Sequence, residues 1–487
     1  MRWSYASQIA ILPFRVITAT HKFAPTRRFQ NMASLSGQCP EINYLDRVSP
    51  SEDLRRVHLR TVHDTDEVFD TLLSILRKPA LGQDIRYVNL DRSLAGSSIE
   101  PPALNIPREV KEEDRKLLEG AVRRAGFAGK QYGMMMNIVT HRPCDGYHGM
   151  KRTNDLMHLT QALAALIISV APNLESLAFP EISAEFESPS ECYLMLQAFL
   201  ERANSNPTEI PYLQNLRDVR CLSNKNLFLS DERFYENYNL ADSMKLVGNL
   251  PAVETIRADS IEDRYESIDL EPRSTNFRKV YIQGSNYSSS SIAEIIKSCR
   301  RLQEFEYSIG GRSSGDGSSP MFIARHLLDA LLYHTNTLQR LEMDVDEELS
   351  EERPAYWDTH DQYMTGEDPY EKDYTEGRPT SLRDFIVMKD LWIGIKLLMD
   401  LARASISKGG SAESPMSLVE ILPPNLESLC ILGHTVGVNS KHDAQISLLM
   451  ENRERLPFLA EITGVDACIL NAKSVENPDE DVEQDDR

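Results

Sequence analysis

One short phrase constrains this chain more than any other: an apolar residue, a second three positions later, and a third two beyond that. It occurs as "LRRVHL" at Leu54, "PNLESLAF" with Leu174, "LQNLRDVRCL" over Leu213 to Leu222, "PAVETIRA" with Val253 and "FRKVYI" at Phe277. It returns as "LQEFEY" at Leu302, "LQRLEM" at Leu338, "MKDLWI" at Met388 and "NLESLCI" with Leu426. Six residues are too few for a stable helix, whereas the last two apolar positions alternate with the period of a strand and point to one side. The first apolar residue anchors the turn that precedes the strand. In "LPPNLESLCI", Leu422 to Ile431, two prolines and an asparagine stand where the preceding helix must stop and the turn must form.

Between most of these phrases lies a helix-sized amphipathic stretch. "SPSECYLMLQAFLERA" offers Ser188 as N-cap, Pro189 at the first helical position and Glu191 as the capping-box partner. "SIAEIIKSCRR" repeats the device with Ser291 and Glu294, and "SPMFIARHLLDALLYHT" again opens Ser-Pro. "LMHLTQALAALIISVA" and "DEVFDTLLSILRK" carry apolar residues at helical spacing. Neither a short strand nor one helix buries its apolar face alone, but stacked units do. The expected fold is therefore α/β: a solenoid of alternating helices and short parallel strands, spanning residues 51–470. The steps between successive phrases from Leu174 onward, 42, 37, 24, 25, 36, 50 and 38 residues, make the repeat irregular. The same alternation also suits an ordinary α/β domain of βαβ units.

Charge is unevenly placed. The chain has 487 residues and a net charge of −21. Asp344 to Glu376 contributes 13 acidic and 2 basic residues, and Glu476 to Arg487 contributes 7 and 1. An acidic insertion is thus expected over 344–380, with Tyr356, Trp357, Tyr363, Tyr370 and Tyr374 interleaved, and a disordered acidic tail over 471–487. This balance argues against nucleic acid as a partner, since phosphates demand a basic face. The longest apolar run, "ALAALIISV", is far short of the ~20 residues that span a bilayer, so no membrane is expected either. Seven scattered cysteines without a C-x-x-C pair suit reduced thiols in the cytoplasm or nucleus. Residues 1–50 are basic, with Arg2, Arg15, Lys22, Arg27 and Arg28 before the first acid at Glu41. That is the composition of a poorly ordered tail, and also of a mitochondrial transit peptide.

These residues resemble the F-box and leucine-rich-repeat-like proteins abundant in filamentous fungi. "FDTLLSILRKPALGQDIRYVNLD", Phe69 to Asp91, is similar to their first repeat; "SLRDFIVMKDLWIGIKLLM" with "LVEILPPNLESLCI" is similar to their closing pair. The likeness runs from about Leu54 to Leu432 in loose patterns of apolar spacing. It implies a leucine-rich-repeat-like solenoid and an N-terminal F-box that binds the adaptor of a cullin-RING ubiquitin ligase. "ILPFRVI", Ile11 to Ile17, and "TRRFQNMA", Thr26 to Ala33, echo the two ends of that module, but the helical apolar run between them is missing. The resemblance therefore implies a degenerate or missing F-box.

The functional expectation is a non-enzymatic protein–protein interaction scaffold, with the ligase's substrate-recognition role implied by the resemblance. Its protein-binding face comprises the outward residues of the strand phrases: Thr255, Arg257, Lys279, Tyr281, Glu304, Glu306, Arg340, Glu342, Asp390 and Trp392. Mixed charge with two aromatics is the composition of a binding hot spot. The alternative is a serine hydrolase. Gly311-Arg312-Ser313-Ser314-Gly315 matches G-x-S-x-G after an expected strand, with His326 or His334 as base. Asp316 to Ser319 nevertheless separate that serine from the following helix, unlike a nucleophile elbow. "HRPCDGYH" gathers His141, Cys144 and His148 without the fourth ligand or paired spacing that zinc requires. No nucleotide-binding motif is present, and no metal or cofactor is expected.

Overall fold

The phrases become strands. Arg56–His58 (β1), Tyr87–Asn89 (β2), Ser176–Pro180 (β3) and Asp218–Leu222 (β4) come first. Thr255–Asp259 (β5), Lys279–Gln283 (β6), Glu304–Ser308 (β7) and Arg340–Asp344 (β8) follow. Asp390–Gly394 (β9), Ser428–Leu432 (β10) and Glu461–Thr463 (β11) complete a sheet of 11 strands. Every pair is parallel, and the order across the sheet is the order along the chain. The fold is α/β with one large parallel sheet.

The computed structural model describes residues 55–59, 62–90, 106–142, 150–182, 194–223, 234–263, 269–314, 322–346, 349, 381–404 and 417–471. All of these belong to the second of two units, Val48–Arg487. The basic N-terminal segment, most of the acidic insertion, the tail from 472 and the expected cap Ser188-Pro189 lie outside the described residues.

The apolar triad explains the register. The central residues Val57, Val88, Leu177, Val219, Ile256, Val280, Phe305, Leu341, Leu391, Leu429 and Ile462 are mutual partners strand by strand. In the phrase starting at Leu302, that residue, Phe305 and Tyr307 are all buried, as are Leu338, Leu341 and Met343 in the next. Just before the strands a second regularity appears. The Arg86 carbonyl accepts from the amides of both Glu175 and Ser176, and the carbonyls of Arg217, Arg278, Gln339 and Lys389 do the same for the next strand. Each of these strands therefore docks on its predecessor twice, through its ladder and through its entering turn.

Helices fill the returns: Val62–Arg77 (α1), Glu112–Arg124 (α2), Gly129–Val139 (α3), Met150–Ser169 (α4), Met195–Ser205 (α5) and Leu240–Val247 (α6). Ser289–Ser298 (α7), Ala324–Leu331 (α8), Ile395–Ala404 (α9), Leu418–Ile421 (α10) and Ser440–Glu451 (α11) follow. Their buried residues and the inward strand residues form one apolar core, so the other face of the sheet is left to carry polar groups. Helix α7 is capped three residues earlier than expected. Ser288, not Ser291, accepts from the backbone of Ser291 at 3.2 Å, while the Ser291 hydroxyl binds Asp263. Helix α8 has no cap of its own; the Ser289 hydroxyl of the preceding helix accepts the Ile323 amide instead, at 3.0 Å.

Candidate functional site

Strand periodicity with a shared register turns the ten expected binding residues into two parallel rows. Thr255, Lys279, Glu304, Arg340 and Asp390 are successive partners in one row, and Arg257, Tyr281, Glu306, Glu342 and Trp392 in the other. The structure thus brings all ten together on the polar face. Exposure, however, differs from the expectation of free outward side chains. Arg257 is exposed, and Lys279, Tyr281, Glu304, Glu306, Arg340, Glu342, Asp390 and Trp392 are half-buried. Thr255 is buried at 8% exposure. Its short branched side chain stands between the longer Asp218 and Lys279 in its row, which leaves it no surface to offer a partner.

The rows are cross-linked. Arg257 pairs with Asp218 at 3.2 Å and lies over the Tyr281 ring, 4.3 Å from its centroid. The Tyr281 hydroxyl donates to Glu304 at 2.6 Å, and Lys279 meets the same carboxylate at 2.8 Å. Burial alone would raise the Glu304 carboxyl, but these donors hold it below the ordinary carboxylate range. Burial and the bond to Glu304 push the Tyr281 phenol up. Arg340 meets Glu342 at 2.7 Å, and Glu306 accepts from the Gln283 amide. Burial first, and then the charge of Glu342, raise the Glu306 carboxyl.

Asp218 and Arg220 extend the two rows onto β4 and were missed. The signal was available, because "LQNLRDVRCL" carries the same phrase and its outward positions are these two residues.

The serine motif has another geometry. Ser313 forms a parallel bridge with Phe234, and its carbonyl accepts the Tyr235 amide at 2.9 Å. The segment is thus extended at Ser313, and the following helix begins at Ala324. His334 is buried; its Nε2 donates to the Ile296 carbonyl at 2.9 Å and its Nδ1 accepts from the Leu302 amide at 3.3 Å. Burial lowers its basicity, so it serves as a neutral bridge between helix and turn. His326 Nδ1 meets the Ser289 hydroxyl at 3.3 Å. Of the three residues in "HRPCDGYH", His141 bonds the Asn137 carbonyl at 2.8 Å, and Cys144 and His148 lie outside the described residues. Among the described residues no cluster of three or more His, Cys, Asp or Glu is placed to hold a metal, and no helix is long and apolar enough to cross a membrane. No family model matches the chain, and no curated protein matches it.

Proposed function

We propose that the chain is a leucine-rich-repeat-like solenoid acting as a non-enzymatic protein-interaction scaffold, with the polar sheet face as its docking surface. The observation that carries this reading is the pair of in-register rows, where charge of both signs and two aromatic rings are gathered at regular strand spacing. The chain order of the strands supports it further. Open α/β sheets form their ligand crevice where the strand order reverses, and the described strands of this sheet show no reversal. Substrate recognition for a cullin-RING ubiquitin ligase is the specific role that the family resemblance adds.

Affinity purification of the tagged full-length chain from its native cell extract tests both levels. Proteins retained by the wild type and lost from the Tyr281→Ala/Trp392→Ala variant support docking on the sheet face; an unchanged set of proteins sinks it. A ligase adaptor and cullin that co-purify, and vanish when residues Met1 to Pro40 are removed, support the ligase role. Their absence from the wild-type eluate removes it.

A further inference from the structure

The two rows treat charge differently. In the first, Lys279, Glu304, Arg340 and Asp390 alternate in sign, so every charge has an opposite neighbour. In the second, Arg220 lies opposite Arg257, Glu306 lies opposite Glu342, and Tyr281 separates the like-charged pairs. Like charges directly opposite one another destabilise a sheet. The neighbouring row shows that the same strands accommodate alternation, so packing does not require the like pairs.

Each pair also keeps an excess. Asp218 neutralises one of the two arginines and Arg340 one of the two glutamates. After those ion pairs one positive charge is left at the Arg220–Arg257 pair and one negative charge at the Glu306–Glu342 pair, while Asp259 and Asp344 close β5 and β8 at the strand ends, beyond the second row. Arg220 is exposed and has no ion pair among the described residues. Glu306 is half-buried, and the partner of its carboxylate is a neutral amide. Neighbouring strands are about 4.8 Å apart, which puts the centres of the two pairs, three strands apart, at about 14 Å. An extended chain rising about 3.3 Å per residue covers that distance in roughly four residues.

We propose that the second row recognises an extended segment of a protein partner carrying an acidic and a basic side chain about four residues apart. The acid lies over Arg220 and over Arg257, which Tyr281 supports from beneath, the base between Glu306 and Glu342, and an apolar side chain rests on Trp392. A narrow segment is favoured over a second copy of this chain because Tyr281, Glu306, Glu342 and Trp392 are half-buried, which a broad flat face reaches poorly. The inference rests on the sheet-face reading above and names the partner chemistry for it.

A random dodecapeptide library displayed on phage and selected against the immobilised full-length chain is the test. The expected result is enrichment of peptides with Asp or Glu about four residues from Lys or Arg. Synthetic copies should lose about tenfold or more in affinity to Arg220→Gln/Arg257→Gln and to Glu306→Gln/Glu342→Gln. Glu→Gln is isosteric and Arg→Gln only shortens two exposed side chains, so the core stays intact, and circular dichroism verifies folding. Enriched peptides that lack the spacing yet lose binding with Trp392→Ala would overturn the inference while leaving the sheet-face reading standing. Peptides indifferent to every one of these substitutions would overturn both. A failure to enrich any peptide overturns the inference. So does a dimer in sedimentation velocity that Glu306→Gln/Glu342→Gln dissociates, since a second copy then covers the row.

Discussion

Glu306 shows how one carboxyl on the sheet face bears on stability. Burial and the neighbouring Glu342 raise its carboxyl, so the folded protein disfavours the ionised form. Between the ordinary glutamate range, about 4.3, and the raised folded value, the native state holds more protons than the unfolded chain. Stability from this group therefore falls as pH rises through that window, and the full penalty is present above it. Glu306→Gln should raise the melting temperature at neutral pH, and the difference from wild type should shrink once pH drops below the ordinary glutamate range. A melting series across pH checks this; an equal difference at every pH would remove the charge explanation. A second residue type works in the turns. Asn173, Asn215, Asn276 and Asn425 each precede the anchoring apolar residue, and each side chain donates to a carbonyl of the preceding unit: Gln83, Pro172, Leu250 and Ile386. The asparagine in "LPPNLESLCI" thus does more than end a helix, because it ties its turn to the unit before. Asn425→Ala should cost about 1 kcal/mol in urea unfolding, the typical net worth of one such bond.

At the scale of elements, the join between β8 and α9 shows what local sequence reveals and what it hides. Asp346 is buried, and its carboxylate accepts the Lys396 and Leu397 amides at 2.9 and 3.0 Å, capping a helix fifty residues further on. A Cβ at Gly394 would come within 2.1 Å of that carboxylate, so only glycine leaves it room. Gly394→Ala and Asp346→Ala should therefore each destabilise by about 1–2 kcal/mol, the range for a lost cap. Because both remove the same contact, the double variant should fall well short of their sum in denaturant unfolding. No sequence pattern marks this pairing, since cap and helix are distant in the chain. Strands were easier to read because three apolar residues within six positions are a local signal. "IRYVNL" carries the same triad, Ile85, Val88 and Leu90, and forms β2. The phrase fails only at β11, where Leu459 and Ile462 are followed by Gly464 in place of a third apolar residue. There φ is +81°, and a Cβ would lie 1.8 Å from the Ile431 carbonyl oxygen. The face residues followed from the strand phrase, but their ion pairs did not. The steps between phrases are irregular, so register had to come from the fold.

For the whole molecule, burial divides the cysteines. Cys221 and Cys299 are fully buried and their thiols are pushed up to about 12 by loss of solvent, whereas Cys468 is exposed. Thiolate is the reactive form, so brief alkylation of the native chain should label Cys468 and spare Cys221 and Cys299, as read by peptide mass spectrometry. The order of the strands has a larger consequence. Each described strand of the large sheet pairs only with the sheet strands next to it in the chain, so an interior strand loses two pairings on opening and an edge strand loses one. The shortest strands also lie at or next to the ends: β1, β2 and β11 have three residues each, while β5 to β8 have five. Exposed Val436, Val438, Phe458 and Leu470 show that the unit beyond β10 buries its apolar side chains least completely. Opening should therefore begin at the two ends and reach the centre last. Native-state hydrogen exchange should show protection rising from β1 and β11 toward β5 to β8, with graded rather than single-step loss as urea is added. Uniform protection and one cooperative transition would mean that the long-range ties, such as Asp346 to α9, weld the units together. The stacked-unit description of the stability would then have to give way to that of a single α/β domain.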